Sequence, residues 1–213
     1  MVHHIFHKSF QVHIGNGLVL TCAHCVTHDD NDDDDDSEDK LGCVLELVTA
    51  HGRQVGAVCT KFDNDVDLAL LQICPRFQPD LALTSLSLAS RGSDLDGLRI
   101  FALGNPCDID LETDLDAPRS NGFFPFNVSE GRLESKISSK KSKMDGLGRQ
   151  IHSAWTYWGH SGCPLIGLHE MEPYIFGIHN SWDERNGNRH GIPLDEITVF
   201  VNDYMSTQSN MAI

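Results

Sequence analysis

Three short stretches of this chain carry a histidine, an aspartate and a serine in surroundings suited to acyl transfer. Over residues 18–25 an apolar run ends at His24; over 65–71 an aspartate, Asp67, opens a second apolar run; over 159–165 Ser161 sits in a tight turn between Gly159 and Gly162. A serine hydroxyl is too weak a nucleophile to open an amide at neutral pH. It needs a base to take its proton, an acid to hold that base in the right tautomer, and N–H donors where the oxyanion forms. The three stretches offer one of each. Taken singly, Cys-Ala-His-Cys or Gly-His-Ser-Gly would be an ordinary turn, and the weight lies in their agreement.

Together the stretches resemble the signatures of the trypsin-like serine peptidases: T-A-A-H-C around the histidine, D-[IL]-A-L-L at the aspartate and G-[DN]-S-G-G-P-L at the serine, in the same chain order. The resemblance implies an all-β fold of two perpendicular Greek-key β-barrels, His24 and Asp67 on the first, Ser161 on the second, and the site in the cleft between them. It also implies roles. His24 is the general base, Asp67 orients it, and Ser161 is the nucleophile. The backbone N–H groups of Gly159 and Ser161 form the oxyanion hole, a glycine at 159 letting the peptide turn inward. Asp65 competes for the acid role, but Asp67 is the residue directly before Leu-Ala-Leu-Leu.

By position relative to the nucleophile, Trp155, Thr156 and Tyr157 should form the base and one wall of the primary substrate pocket, with His179, Asn180 and Ser181 opposite. No acid stands at that base, which predicts a small or medium apolar residue rather than Lys or Arg before the cleaved bond. Several positions depart from secreted trypsins. His160 replaces the aspartate that pairs with a freed Ile-Val-Gly-Gly terminus, Cys25 lacks its bridging partner, and Cys163 replaces a glycine. Residues 54–71 and 101–106 look closer to the HtrA-like quality-control proteases, though the chain ends just after the second barrel and leaves no room for their PDZ domain.

The elements that must position these residues read mostly as strands. Apolar, β-branched runs at 17–21, 43–48, 54–59, 68–73, 98–103, 174–178 and 192–194 are strand-length and bounded by Gly, Asp or Asn. They divide into an N-terminal barrel over 1–75, an inter-barrel connection over 76–96 and a C-terminal barrel over 97–193, all within one peptidase domain. Few residues precede the first run, so the opening strand of the first barrel is expected to be incomplete. Only residues 194–206 have helical spacing, with Leu194, Ile197, Val201, Tyr204 and Met205 on one face.

The 213 residues, 40% hydrophobic and 22% charged, suit a globular core. No run approaches the roughly 20 apolar residues of a membrane span, and the first residues do not read as a secretory signal, so an intracellular, cytoplasmic protein is expected. Seven cysteines without framework spacing predict reduced thiols. Cys22 and Cys25 form a lone C-x-x-C with no second ligand pair, which argues against a metal, and no cofactor is implied. Nine acids between Asp29 and Asp39 supply more than half of the formal charge of −15 and predict a solvated, disordered loop. That sign disfavours nucleic acid and leaves a protein or peptide substrate as the partner. Two alternatives stand beside the peptidase reading: a catalytically silent protease-fold module whose acidic loop recruits basic partners, and an esterase using the same three residues.

Overall fold

The computed structural model describes residues 9–26, 40–77, 83–90, 95–107, 120, 122, 126–134, 150–184 and 187–211. The acidic run 29–39 and the irregular residues 108–119 lie outside them. Strands β1 (Val12–Gly15), β2 (Leu18–Thr21), β3 (Val44–Val48), β4 (Gln54–Asp63) and β5 (Leu68–Ile73) form an antiparallel sheet in the order β1-β2-β5-β4-β3. An opening strand is therefore present. It turns into β2 through Gly15, Asn16 and Gly17, all at positive φ, which is where glycine and asparagine cost least. All four residues of β2 are buried because it lies between β1 and β5.

The second sheet contains β6 (Ser87–Leu88), β7 (Arg99–Gly104), β8 (Asn127–Glu134), β9 (Gln150–His152), β10 (Pro164–His169), β11 (Glu172–Asp183) and β12 (Asn188–Pro193). Six of them close a barrel in the order β10-β7-β8-β9-β12-β11, the ring completed by pairing of β10 with β11; β6 runs parallel to β11 outside it. Helix α1 spans Leu194–Met211, longer than the predicted 194–206, with Asp195 and Glu196 in its first turn, where they complement the helix dipole. Its inward face uses Leu194, Ile197 and Phe200, whereas Met205, expected on that face, is exposed.

Two apolar clusters fill the two sheets separately, and a third joins them. In this third cluster Leu20, Cys22, Leu68 and Leu70 pack against Ile175, Ile178 and Ile192 of the barrel and against Ile197 and Phe200 of α1. The clamp is reinforced by Lys61 of β4, whose Nζ donates to the Phe200 carbonyl and pairs with Asp203. The seam between the sheets is thus an apolar core, and the groups at its rim are held in place relative to one another. No described helix is long and apolar enough to cross a membrane.

Candidate functional site

His24 does not end a strand. After β2 closes at Thr21 the chain makes a 3-10 turn over Ala23–Cys25, which lifts the imidazole to the surface of the seam, its side chain 48% exposed. Asp67 lies at the end of the turn before β5, in the left-handed region at φ 61, a conformation aspartate tolerates better than most residues. There its carboxylate faces His24. Oδ1 accepts the His24 backbone N–H at 3.0 Å, and Oδ2 lies 2.9 Å from Nδ1. Asp65, the competitor for the acid role, is exposed in the same turn, its backbone N–H donating to Asp63.

A third donor holds Asp67. Asn180 Nδ2 donates to Oδ2 at 3.2 Å. Its register explains the reach: His179 pairs with Gly191 and Ser181 with His190, leaving Asn180 as the extra residue of a β-bulge in β11 that redirects its side chain. The sequence placed Asn180 in the pocket wall and missed this second contact, since a bulge leaves no mark in composition. With its acceptors filled from His24 and Asn180, the carboxylate fixes His24 with Nδ1–H toward it and Nε2 facing outward. Burial opposes a charge on His24. The hydrogen bond it donates to Asp67 and the nearby Cys25 outweigh this and raise its pKa well above the ordinary 6.5.

Ser161 is presented by a tightly packed turn. His160 N–H donates to the Tyr157 carbonyl, Gly162 N–H to His179 and Cys163 N–H to His160, while the Ser161 carbonyl accepts from Phe10 N–H at 2.9 Å. Gly159 and Gly162 both have positive φ. A Cβ at Gly162 would lie 2.1 Å from the Phe10 carbonyl oxygen and 2.4 Å from Thr21 Oγ1, so the N-terminal segment leans on the turn at a place only glycine permits. The N–H groups of Gly159 and Ser161 are not among the donors of this turn. Ser161 and His24 line one cavity of about 530 Å³, together with Trp155, Thr156, Tyr157, His179, Asn180 and Ser181. All six residues expected at the substrate pocket are therefore gathered there. Trp158, Trp182, Glu184 and Arg189 join them without having been expected at the pocket.

Over residues 11–171, well beyond half its length, the sequence matches the trypsin-like peptidase domain. The chain belongs to the trypsin-like peptidase family. No curated protein sequence matches it significantly. Among solved structures it is similar to the Rv3671c protease of M. tuberculosis in its active form, at 18% identity, TM-score 0.64, with 91% of this chain and 72% of that one covered. It is also similar to the HtrA-type protease AlgW with a decapeptide (18%, TM-score 0.62, 87% and 48% covered) and to a serine endoprotease from Yersinia pestis (19%, TM-score 0.62, 95% and 60%). It spans about half of the AlgW chain.

The places where this trypsin-like domain departs from its family pattern have local reasons. His160, next to Ser161, is fully buried and turned into the barrel: its ring lies edge-on to Trp155, Nδ1 lies 3.0 Å from the Tyr157 carbonyl oxygen and 3.2 Å from the Tyr157 backbone nitrogen, and Gly104 leaves the space. Burial drives its pKa down to about 4, so at neutral pH it is an uncharged prop for the turn. Cys163 is a core residue whose thiol is pushed up by burial. All seven cysteines are free. Cys22, His24 and Asp67 bring donor atoms within 4.8 Å of one another, as a metal would need. Burial, however, keeps the Cys22 thiol protonated, its Sγ donates to the His179 carbonyl at 3.4 Å, and the His24–Asp67 bond already occupies the other two donors.

Proposed function

We propose that the chain is a serine endopeptidase that hydrolyses peptide bonds in protein or peptide substrates through an acyl-enzyme intermediate. Ser161 Oγ attacks the scissile carbonyl while His24 Nε2 takes its proton; Asp67 holds the imidazole and stabilises its cationic form; the N–H groups of Gly159 and Ser161 receive the oxyanion. His24 then gives the proton to the leaving amine, and water repeats the sequence to release the acid. The observation that carries this reading is the hydrogen-bonded row Asn180–Asp67–His24 opening on the cavity that Ser161 also lines. Seven free thiols favour a reducing compartment, hence an intracellular site of action.

Unfolded casein is the substrate of choice for a test. The purified chain should cleave it at internal bonds, and Ser161→Ala should abolish cleavage while leaving the far-ultraviolet spectrum unchanged. Cleavage that persists in Ser161→Ala, or none by the native chain, contradicts the assignment.

A further inference from the structure

The cavity beside Ser161 has a buried histidine and a cation on its wall. His179 and Arg189 both line it. His179 is buried, and its Nδ1 lies 3.0 Å from Nε2 of the equally buried His152. Strand register sets Arg189 of β12 across from His152 of β9 and from Trp182 of β11. Residues paired across strands share a face, so the guanidinium stem rises from the same side of the sheet as this histidine pair.

The histidine pair shares one proton, since two neutral imidazoles joined through nitrogen need one donor and one acceptor. His179 also meets the backbone of His190. The cavity wall thus carries an imidazole beside a permanent cation.

We propose that this cavity accepts an acidic side chain on the residue preceding the scissile bond, with Arg189 and His179 as its specificity-determining groups. A carboxylate there gains a charge-assisted bond from the guanidinium and a second from the imidazole, whereas an apolar side chain would desolvate both donors without replacing their water. The small apolar preference expected from sequence rested only on the lack of an acid at the pocket base, and no pattern in the sequence brings Arg189 next to His152. Glu184 is exposed and lines the same cavity, and the chain as a whole is acidic. Both act on approach, where salt screens them over roughly 8 Å; the bound carboxylate meets Arg189 and His179.

The inference rests on reading this cavity as the substrate cleft, and it is tested by binding rather than turnover so that the two can fail separately. The Ser161→Ala chain would be titrated calorimetrically with acetyl-Ala-Ala-Pro-Xaa acids ending in Glu, Gln, Ala or Arg. The Glu peptide should bind at least about tenfold more tightly than its neutral isostere Gln. In Ser161→Ala/Arg189→Gln that ratio should fall to near one while the Ala peptide binds as before. Equal affinities for Glu and Gln, tighter binding of Ala or Arg, no measurable Glu binding, or a ratio untouched by Arg189→Gln would each overturn the proposal. Failure of the native chain to cleave casein, with the Glu preference intact, would instead sink the peptidase reading and leave the acid-binding cavity standing.

Discussion

Acidification from about pH 7.5 to about pH 5 should remove a large share of this protein's stability, because three histidines are folded in their neutral form. Burial lowers His152 to about 3 and His160 to about 4, and takes His179 well below its usual range. In the unfolded chain each would take up a proton near pH 6.5. A base whose folded pKa is depressed binds fewer protons folded than unfolded, so stability falls as pH falls below about 6.5 and keeps falling until the folded pKa is reached. Each site is worth ~1.4 kcal/mol per pH unit in that window, hence about 2 kcal/mol down to pH 5 and about 6 kcal/mol for the three. That is comparable to the ~5–15 kcal/mol of a whole domain. His24 works the other way only above about 6.5, where its raised pKa makes the folded chain hold the extra proton; below that it is protonated in both states, so the loss between about pH 6.5 and about pH 5 stands. Urea unfolding followed by tryptophan fluorescence at the two pH values measures the difference. His160→Asn, which removes one titrating group from a site backed by Gly104, should recover about 2 kcal/mol of the loss. A midpoint that does not move between the two pH values, or a variant that loses as much as the parent, would refute the reasoning.

Other consequences follow from single contacts. Asp67→Asn should fold, since asparagine tolerates the left-handed conformation, but should lower kcat on the order of 10³–10⁴-fold by admitting the wrong His24 tautomer. The base works deprotonated, so kcat/KM in the native chain should rise with pH through a midpoint above 6.5, and a pH–rate profile of Asp67→Asn should place that midpoint lower. Gly162→Ala, which drives a methyl into the Phe10 carbonyl, should cost about 2–4 kcal/mol by chemical denaturation. Gly187→Ala, at similar φ but with open space around it, should cost about 1 kcal/mol.

Sequence carried the site further than it carried the fold's details, for reasons visible in particular residues. His24, Asp67 and Ser161 each sit in a local pattern, a turn after or before an apolar strand, and such patterns are short-range. The first-order strands β2, β3, β5 and β7 were legible because their apolar runs are continuous. Strand β8 was not, since Asn127–Glu134 is half exposed and polar, its pattern set by pairing with β7 rather than by burial on both faces. Strand β9 is three residues long and β6 two, too short for any period to show. The contact of Asn180 with Asp67 and the place of Arg189 at the cavity escaped notice because a bulge and a cross-strand register create them, and both are tertiary facts. The buried pose of His160 depends on Gly104, distant in sequence, making room for its ring.

Covalent labelling locates the nucleophile most directly. Native chain treated with a fluorophosphonate and mapped by peptide mass spectrometry should carry a single phosphonyl group on Ser161, with labelling lost in Ser161→Ala and strongly slowed in His24→Ala. A native chain that stays unlabelled, a label on any other residue, or labelling that survives Ser161→Ala would contradict the account.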